Sequence, residues 1–353
     1  MLNPLREAVE RLAAGQSLSA EHAERASDQI LAGESTDTLT AAFLTALHMK
    51  GECPNELLGA VRAIRKRMIP WSGEHTSETL LDTCGSGGDG AETVNVSTAA
   101  SIVAASCGIP IVKHGNRAAS GNSGSSDVLA ALGVAVDVDS EVQRQCLREL
   151  GLAFLYAPRY HPGLKVVASI RQQLPFRTVF NLVGPLCNPA SPGYQLVGVP
   201  RQALAELMAG AFLGMPHLRR AVIVTGSDGL DEVTLDGPTH VRIVEKSRMR
   251  MEVWNPSDFG LEPVHARELR VSSPDESALK LRQMFLGENG PVRRIVLANA
   301  AAAIWTVGVQ TRLRDAVRMA AQAIDSGATA RLVERWADLS HSTFVPQPPR
   351  DET

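Results

Sequence analysis

"IPIVKHGNRAASGNSGSSDVLAALG", residues 109–133, is the stretch whose reading decides the fold. Its opening is apolar and β-branched, the texture of a strand. Its close, "DVLAALG", has the texture of a helix ending on glycine. Between them lies a tract of Ser, Gly, Ala and Asn behind Lys113, His114 and Arg117. By composition this is a flexible linker. A linker, however, does not usually sit inside a strand–loop–helix unit, where connections are short. A long loop at the carboxyl end of a strand lies where open α/β sheets bind ligands. Gly115, Gly121 and Gly124 permit tight backbone geometry, and Lys113 and Arg117 suit phosphate or carboxylate. The tract is therefore read as a ligand loop. His114 by itself is uninformative.

The surrounding chain repeats the alternation. "TLLDTC" (79–84), "VAVDV" (134–138), "LAFLYAP" (152–158), "YQLVGV" (194–199), "RAVIVTG" (220–226) and "THVRIVE" (239–245) read as strands. Helical patterns occupy 97–108, 140–151, 201–214, 275–287, 293–308 and 313–339. This alternation predicts a largely parallel sheet flanked by helices. The first seventy or so residues differ. They give four helical patterns over 3–15, 19–33, 37–51 and 55–70, with Pro4 inside the first start and Gly15, Gly33 and Gly51 at stops. The fold class is α/β, with a small N-terminal α-helical domain (1–72) ahead of a larger α/β domain (77–353) with a mainly parallel central sheet.

The 353 residues are 44% hydrophobic and 21% charged, with a net charge of −3 and no long basic block. That composition disfavours nucleic-acid binding through bulk charge, so any bound anion must be met by a local site. Five widely spaced cysteines, with no CxxC pair, fit reduced thiols better than a disulfide framework or zinc site. "MLNPLREAVE" reads as an amphipathic helix start, and the apolar run near "IVLANAAAAIW" is too short to span a bilayer. A cytoplasmic protein without a membrane partner is expected. The tail "QPPRDET" is expected to fray.

Three further stretches carry chemistry. In "DTCGSGGDGAETVNVST" (82–98), Gly85, Gly87 and Gly88 sit between a strand and a helix. Glycines there admit close ligand approach, and consecutive N–H groups beside a helix N-terminus attract anions. The loop is neither a Walker loop nor G-x-G-x-x-G. Asp89, Asn95, Ser97 and Thr98 supply further ligands, although Ser97 and Thr98 could equally serve as helix caps. In "GSDGLDEVTLDG" (226–237), Asp228, Asp231 and Glu232 could form a solvated acidic turn or ligands for Mg²⁺, which takes one or two carboxylates plus substrate phosphates. In "YHPGLKVVASIRQQLPFRTVFNLVGPLCNP" (160–189), Pro162, Gly184, Pro185 and Pro189 read as structural punctuation, and Arg171 and Arg177 as surface or ion-pair residues.

In its ordered motifs the chain resembles the anthranilate phosphoribosyltransferase family over essentially its full length. The motifs are "GSGGD" (85–89), "NVST" (95–98), "KHGNR" (113–117) followed by "SGSSD" (123–127), "RTVFNLVGPLCNP" (177–189) and "DEV" (231–233). The resemblance implies transfer of the phosphoribosyl group of 5-phosphoribosyl 1-diphosphate (PRPP) to the amine of anthranilate, releasing pyrophosphate, in tryptophan biosynthesis. It implies that the helical domain is hinged to the α/β domain and joined by helices around 165–190, and that it forms a homodimer interface. It assigns PRPP to Gly85, Gly88, Asp89, Thr93, Asn95, Val96, Ser97, Thr98, Lys113 and Ser125, and Mg²⁺ to Ser97, Asp231 and Glu232. Anthranilate falls to Gly85, Asn116, Arg171, His114 and Pro185, and the catalytic set to Lys113, His114, Asp231 and Glu232. The chain departs from the family pattern at Ser86 for Thr, at Asn122 for Lys, and at "LPF" (174–176) for "LGI". A nucleoside phosphorylase and a non-catalytic nucleotide-binding paralogue are the rival readings. The intact "KHGNR" and "DEV" weigh against the first. Against the second stand the mild acidity and the complete ligand set.

Overall fold

The computed structural model describes residues 3–71, 73, 77–118 and 123–342. Asn122 and the tail "QPPRDET" lie outside the described residues.

The chain opens with four helices, α1 (Pro4–Ala13), α2 (Ala20–Leu31), α3 (Asp37–Lys50) and α4 (Pro54–Arg67). Asn3, Ser19 and Thr36 cap the first three with side-chain oxygens, each satisfying amides the first turn leaves free. The alternation then begins with β1 (Leu81–Gly85), α5 (Val96–Ser106), β2 (Ile111–Gly115), α6 (Ser125–Ala131), α7 (Ser140–Leu150) and β3 (Leu152–Tyr156). Three short helices follow, α8 (Ala157–Tyr160), α9 (Ala168–Gln173) and α10 (Val179–Leu182). After them come β4 (Tyr194–Gly198), α11 (Gln202–Phe212), β5 (Arg220–Gly226), β6 (Thr239–Glu245), β7 (Arg248–Trp254), the turn α12 (Pro256–Phe259), and α13 (Pro274–Phe285) to α14 (Pro291–Val307), α15 (Leu313–Asp325) and α16 (Ala328–Ser340).

The seven strands form one sheet in the order β3-β2-β1-β4-β5-β6-β7. β3 to β5 are parallel neighbours, whereas β5, β6 and β7 pair antiparallel. After β1 the chain builds outward through β2 and β3, then returns to place β4 on β1's other side. The order therefore reverses at β1, and crevices open at the carboxyl ends where it does.

Strand side chains alternate between two faces. Ile111, Leu152, Phe154, Leu196, Val222 and Val224 enter a core with α5, α13 and α14. Val197, Ala221 and Ile223 point the other way, into a core shared by α2, α3, α4 and α11. Val167, Ile170, Val179 and Phe180, from the segment around α9 and α10, belong to that second core too. Apolar packing thus runs from the N-terminal helices through this segment to one face of the sheet.

Two differences from the sequence reading have local causes. Residues 134–138 are not a strand: the Val134 amide donates to Leu129 and the Ala135 amide to Ser340 Oγ, so their hydrogen bonds go to helices. β7 is not marked in the sequence because its turn, Lys246–Ser247, lacks the Asn-Gly signature, yet both residues adopt the positive φ that a two-residue hairpin turn requires. Met249, Met251 and Val253 line the exposed side of this edge strand.

Candidate functional site

Gly85 ends β1 and Gly198 ends β4, and the two are register partners across the switch point. Their missing side chains make room for Asp231. A Cβ on Gly198 would lie 1.5 Å from the Asp231 carbonyl oxygen, and one on Gly85 would lie 2.5 Å from Asp231 Oδ2. The loop after β5 can therefore push its acidic residues between the ends of two strands.

Asp231 Oδ2 accepts the Gly87 amide at 2.7 Å, and Glu232 Oε1 accepts the Ser97 amide at 3.0 Å. The acidic pair is thereby held under the glycine loop and against the N-terminus of α5, where the helix dipole favours negative charge. Burial raises both carboxyls above their ordinary values. Asp89 pushes Asp231 further the same way, and Asp231 does so to Glu232. Lys113 opposes the rise at Glu232. Asp228, by contrast, accepts from Thr234 Oγ1 at 2.6 Å and from the Leu230 amide at 3.2 Å, closing its own turn.

Lys113 is almost wholly buried (2% exposed), so its charge needs compensation inside the fold. Its Nζ donates to the Thr83 carbonyl and reaches Ser97 Oγ at 3.4 Å. Asp82 supplies a neighbouring charge. It accepts from Asn188 Nδ2 at 2.8 Å and the His114 amide at 3.3 Å, and burial pushes its carboxyl up to about 6. Asp82 and Asn188 were invisible as site residues, since nothing in strand or turn texture marks a buried charge network.

The loop arms are tied to each other. Asn95 Nδ2 donates to the Ser123 carbonyl at 3.0 Å, and Asn95 Oδ1 accepts from Ser123 Oγ at 2.7 Å and Ser277 Oγ at 2.8 Å. Thr93 bridges to Arg270. Val96 is buried in the core behind the loop, and the buried Thr98 hydroxyl has no partner. Asn116 stays within its own loop, its carbonyl accepting from Ser125 Oγ at 3.3 Å and the Ser126 amide at 3.3 Å.

His114 Nε2 faces His161 Nε2 at 3.1 Å. Burial pushes the two imidazoles down to about 3 and about 4, so both are neutral at pH 7. His114 also bonds the backbone of Gly184, next to the buried Pro185. Arg171, in α9, is half-buried. Its Nε has no hydrogen-bond partner, and no carboxylate among the described residues lies within ion-pair distance. Burial, then the nearby Arg177, pushes its pKa down. A half-buried, unpartnered guanidinium is a receptor for a planar anion. Arg177 is not the surface residue the sequence suggested. It donates to the Ser86 and Gly87 carbonyls of the glycine loop.

The donor set fits a hard divalent cation. Asp231 is buried and Glu232 half-buried, and the two are mutually repelling carboxylates whose ionised forms a cation would stabilise. No cluster of three or more His, Cys, Asp or Glu residues is arranged as a metal cage among the described residues. The same residues show all five cysteines as free thiols, and no helix long and apolar enough to cross a membrane.

Comparison with known proteins agrees with this geometry. Residues 77–330 match the glycosyl transferase family α/β domain, and residues 6–68 the helical bundle domain of the same family. An anthranilate phosphoribosyltransferase of Moorella thermoacetica is 43% identical over 340 residues, covering 94% of this chain and 99% of that relative. The crystal structure of the Thermus thermophilus anthranilate phosphoribosyltransferase superposes with a TM-score of 0.87 at 35% identity, over 95% of this chain and 99% of that one. The Saccharomyces cerevisiae enzyme in complex with PRPP and Mg gives 0.87 at 29% identity, over 96% and 98%. A chain whose sheet reverses at a glycine loop, whose acidic pair lies beneath that loop, and whose likeness to these proteins spans nearly its whole length belongs to the anthranilate phosphoribosyltransferase family.

Proposed function

We infer that the protein transfers the phosphoribosyl group of PRPP to the amine of anthranilate, giving N-(5-phosphoribosyl)anthranilate and pyrophosphate. The observation that carries the reading is the pinning of the Asp231–Glu232 pair to the glycine loop and to the N-terminus of α5.

The phosphates of PRPP would lie along the loop amides and the start of α5, drawing on Gly85, Gly88, Asp89, Thr93, Asn95, Val96, Ser97, Thr98, Lys113 and Ser125. Mg²⁺ would be held by Asp231, Glu232 and Ser97, and when bound it supplies positive charge near the departing pyrophosphate. Arg171 offers its open guanidinium to the anthranilate carboxylate, with Asn116, Gly85, His114 and Pro185 shaping the site around the ring. The anthranilate amine is neutral at pH 7 and needs orientation more than deprotonation. His114, held neutral, can accept a hydrogen bond but adds no charge against the developing ribosyl cation. Lys113 lies on the leaving-group side with the loop N–H groups, where preorganised charge stabilises a loose transition state.

We further propose that the helical part (1–72, with the segment around 165–190) closes on the α/β part (77–353) during turnover, excluding water from the reactive ribosyl carbon. α9 and α10 pack in the same core as the N-terminal helices, a core that also takes in Val197, Ala221 and Ile223 of the sheet, so closure would pivot on that packing. A homodimer through that helical part and a cytoplasmic location complete the reading, and sedimentation equilibrium of the full chain tests the dimer.

The deciding experiment follows the loss of anthranilate fluorescence with PRPP and Mg²⁺ each omitted in turn. Loss that requires both supports the reading. Persistence of fluorescence in the complete mixture, or phosphorolysis of a nucleoside instead, refutes it.

A further inference from the structure

Arg177 feels the charge of Asp231 but makes no salt bridge with it. Among the described residues no carboxylate lies within ion-pair distance of it. Its guanidinium is spent on three backbone carbonyls: Gly87 and Ser86 (2.7 Å) in the glycine loop, and Asn181 (3.4 Å) in α10. The Asn181 side chain in turn caps the start of α10, accepting from the Thr178 amide and hydroxyl at 2.9 Å each. The Arg177 backbone is therefore held by the fold, and its side chain reaches out to the loop.

The consequence follows from peptide geometry. In a trans peptide the C=O and the next N–H point opposite ways. The peptide joining Ser86 to Gly87 has its carbonyl on Arg177 and its N–H on Asp231 at 2.7 Å, so it is pinned from both sides. The peptide joining Gly87 to Gly88 also has its carbonyl on Arg177, which turns the Gly88 N–H away from the guanidinium. Gly87 and Gly88 have φ of +68° and +84°, the backbone that lets successive amides be presented in this way. The guanidinium lies where a Gly88 Cβ would stand, so a side chain there would have to displace it.

Six residues earlier on the same segment stands Arg171, whose guanidinium is open to a carboxylate. One stretch of chain thus reaches both halves of the site. We propose that Arg177 is a positioning residue for the PRPP loop, holding the Ser86 and Gly87 carbonyls so that the loop's amides are presented to phosphate, and linking that loop to the segment that carries Arg171. The ligand part of this proposal rests on the functional reading above; the loop-holding part does not.

The test uses the full-length protein and the variants Arg177→Ala and Arg177→Lys. Hydrogen exchange of residues 86–91 without substrate reads loop holding alone. Exchange should speed up by about tenfold or more in Arg177→Ala, because a pinned amide must open to exchange. Steady-state kinetics read the ligand effect. The KM for PRPP should rise by about tenfold or more, with the KM for anthranilate within about threefold, since only the phosphate side loses its arranged donors. Lysine keeps the charge but lacks the planar fork that meets the Ser86, Gly87 and Asn181 carbonyls together, so it should fall between alanine and the parent in both measurements. Full recovery with lysine overturns the bridging geometry. Unchanged loop exchange in both variants overturns the proposal outright. If Arg177→Ala does not fold, the lysine variant alone decides between these outcomes. Faster loop exchange in Arg177→Ala, together with a parent protein that consumes no anthranilate, would refute the functional reading and leave the loop-holding part standing.

Discussion

Gly198→Ala should silence the enzyme while leaving most of the fold. The Gly198 backbone is not in the left-handed region, so the substitution carries no φ penalty. Its whole cost is contact. The new Cβ would sit 1.5 Å from the Asp231 carbonyl oxygen and 2.3 Å from the carbonyl carbon, where ordinary contact begins near 3.4 Å. The Asp231 backbone must therefore retreat by about 2 Å, and overpacking of this kind costs about 1–3 kcal/mol of stability. The same shift breaks the Asp231–Gly87 bond and carries Glu232 away from the Ser97 amide. A displacement of about 1 Å at a reacting centre costs on the order of 100-fold, so kcat should fall by at least that factor. Gly85→Ala provides the contrast. Its Cβ would meet the carboxylate end of the Asp231 side chain at 2.5 Å, and a side chain can rotate away where a backbone cannot. It should lower kcat with a smaller loss of stability. The assay is anthranilate fluorescence at saturating PRPP and Mg²⁺, with a urea melt on the same samples. A Gly198→Ala protein that melts near the parent and turns over within threefold of it would refute the argument that these glycines make the acidic pocket.

Asp231→Asn combined with Glu232→Gln should remove most turnover at any Mg²⁺ concentration, and near-normal rates would sink the metal assignment. Arg171→Ala should chiefly raise the KM for anthranilate, and an unchanged KM would reject its carboxylate role. The buried imidazoles make a pH prediction. Burial puts the folded pKa values of His114 and His161, about 3 and about 4, below the ordinary 6.5. The unfolded chain therefore takes up the protons first. Their stabilising contribution is present above pH 6.5 and is lost as pH falls towards 4. At pH 5 the loss is about 2 kcal/mol for each imidazole. His161→Gln should flatten the stability–pH curve between pH 6.5 and 4.5 in urea melts, and an unaltered slope would contradict the assignment.

What the sequence by itself determined is local and periodic. Apolar alternation marked six of the seven strands, caps and glycine stops marked the N-terminal helices, and the glycine loop, "KHGNR" and "DEV" each stood out by residue type and spacing. Motif order alone pointed to the family. Residues 134–138 read as a strand because alternating valines face the core whether their amides bond to a strand or to helices. β7 was missed because Lys246–Ser247 reaches positive φ without glycine or asparagine. Tertiary structure decided what touches what. That Gly85 and Gly198 face each other follows from β1 pairing with β4, which are more than a hundred residues apart. That Lys113 answers Asp82 and Glu232, and that Arg177 grips the glycine loop while Arg171 stays open, follows from where burial strips water from each charge. A residue's type states which interactions it can make, but only the packed chain sets which partners remain once solvent is excluded, and in this site those partners define the roles.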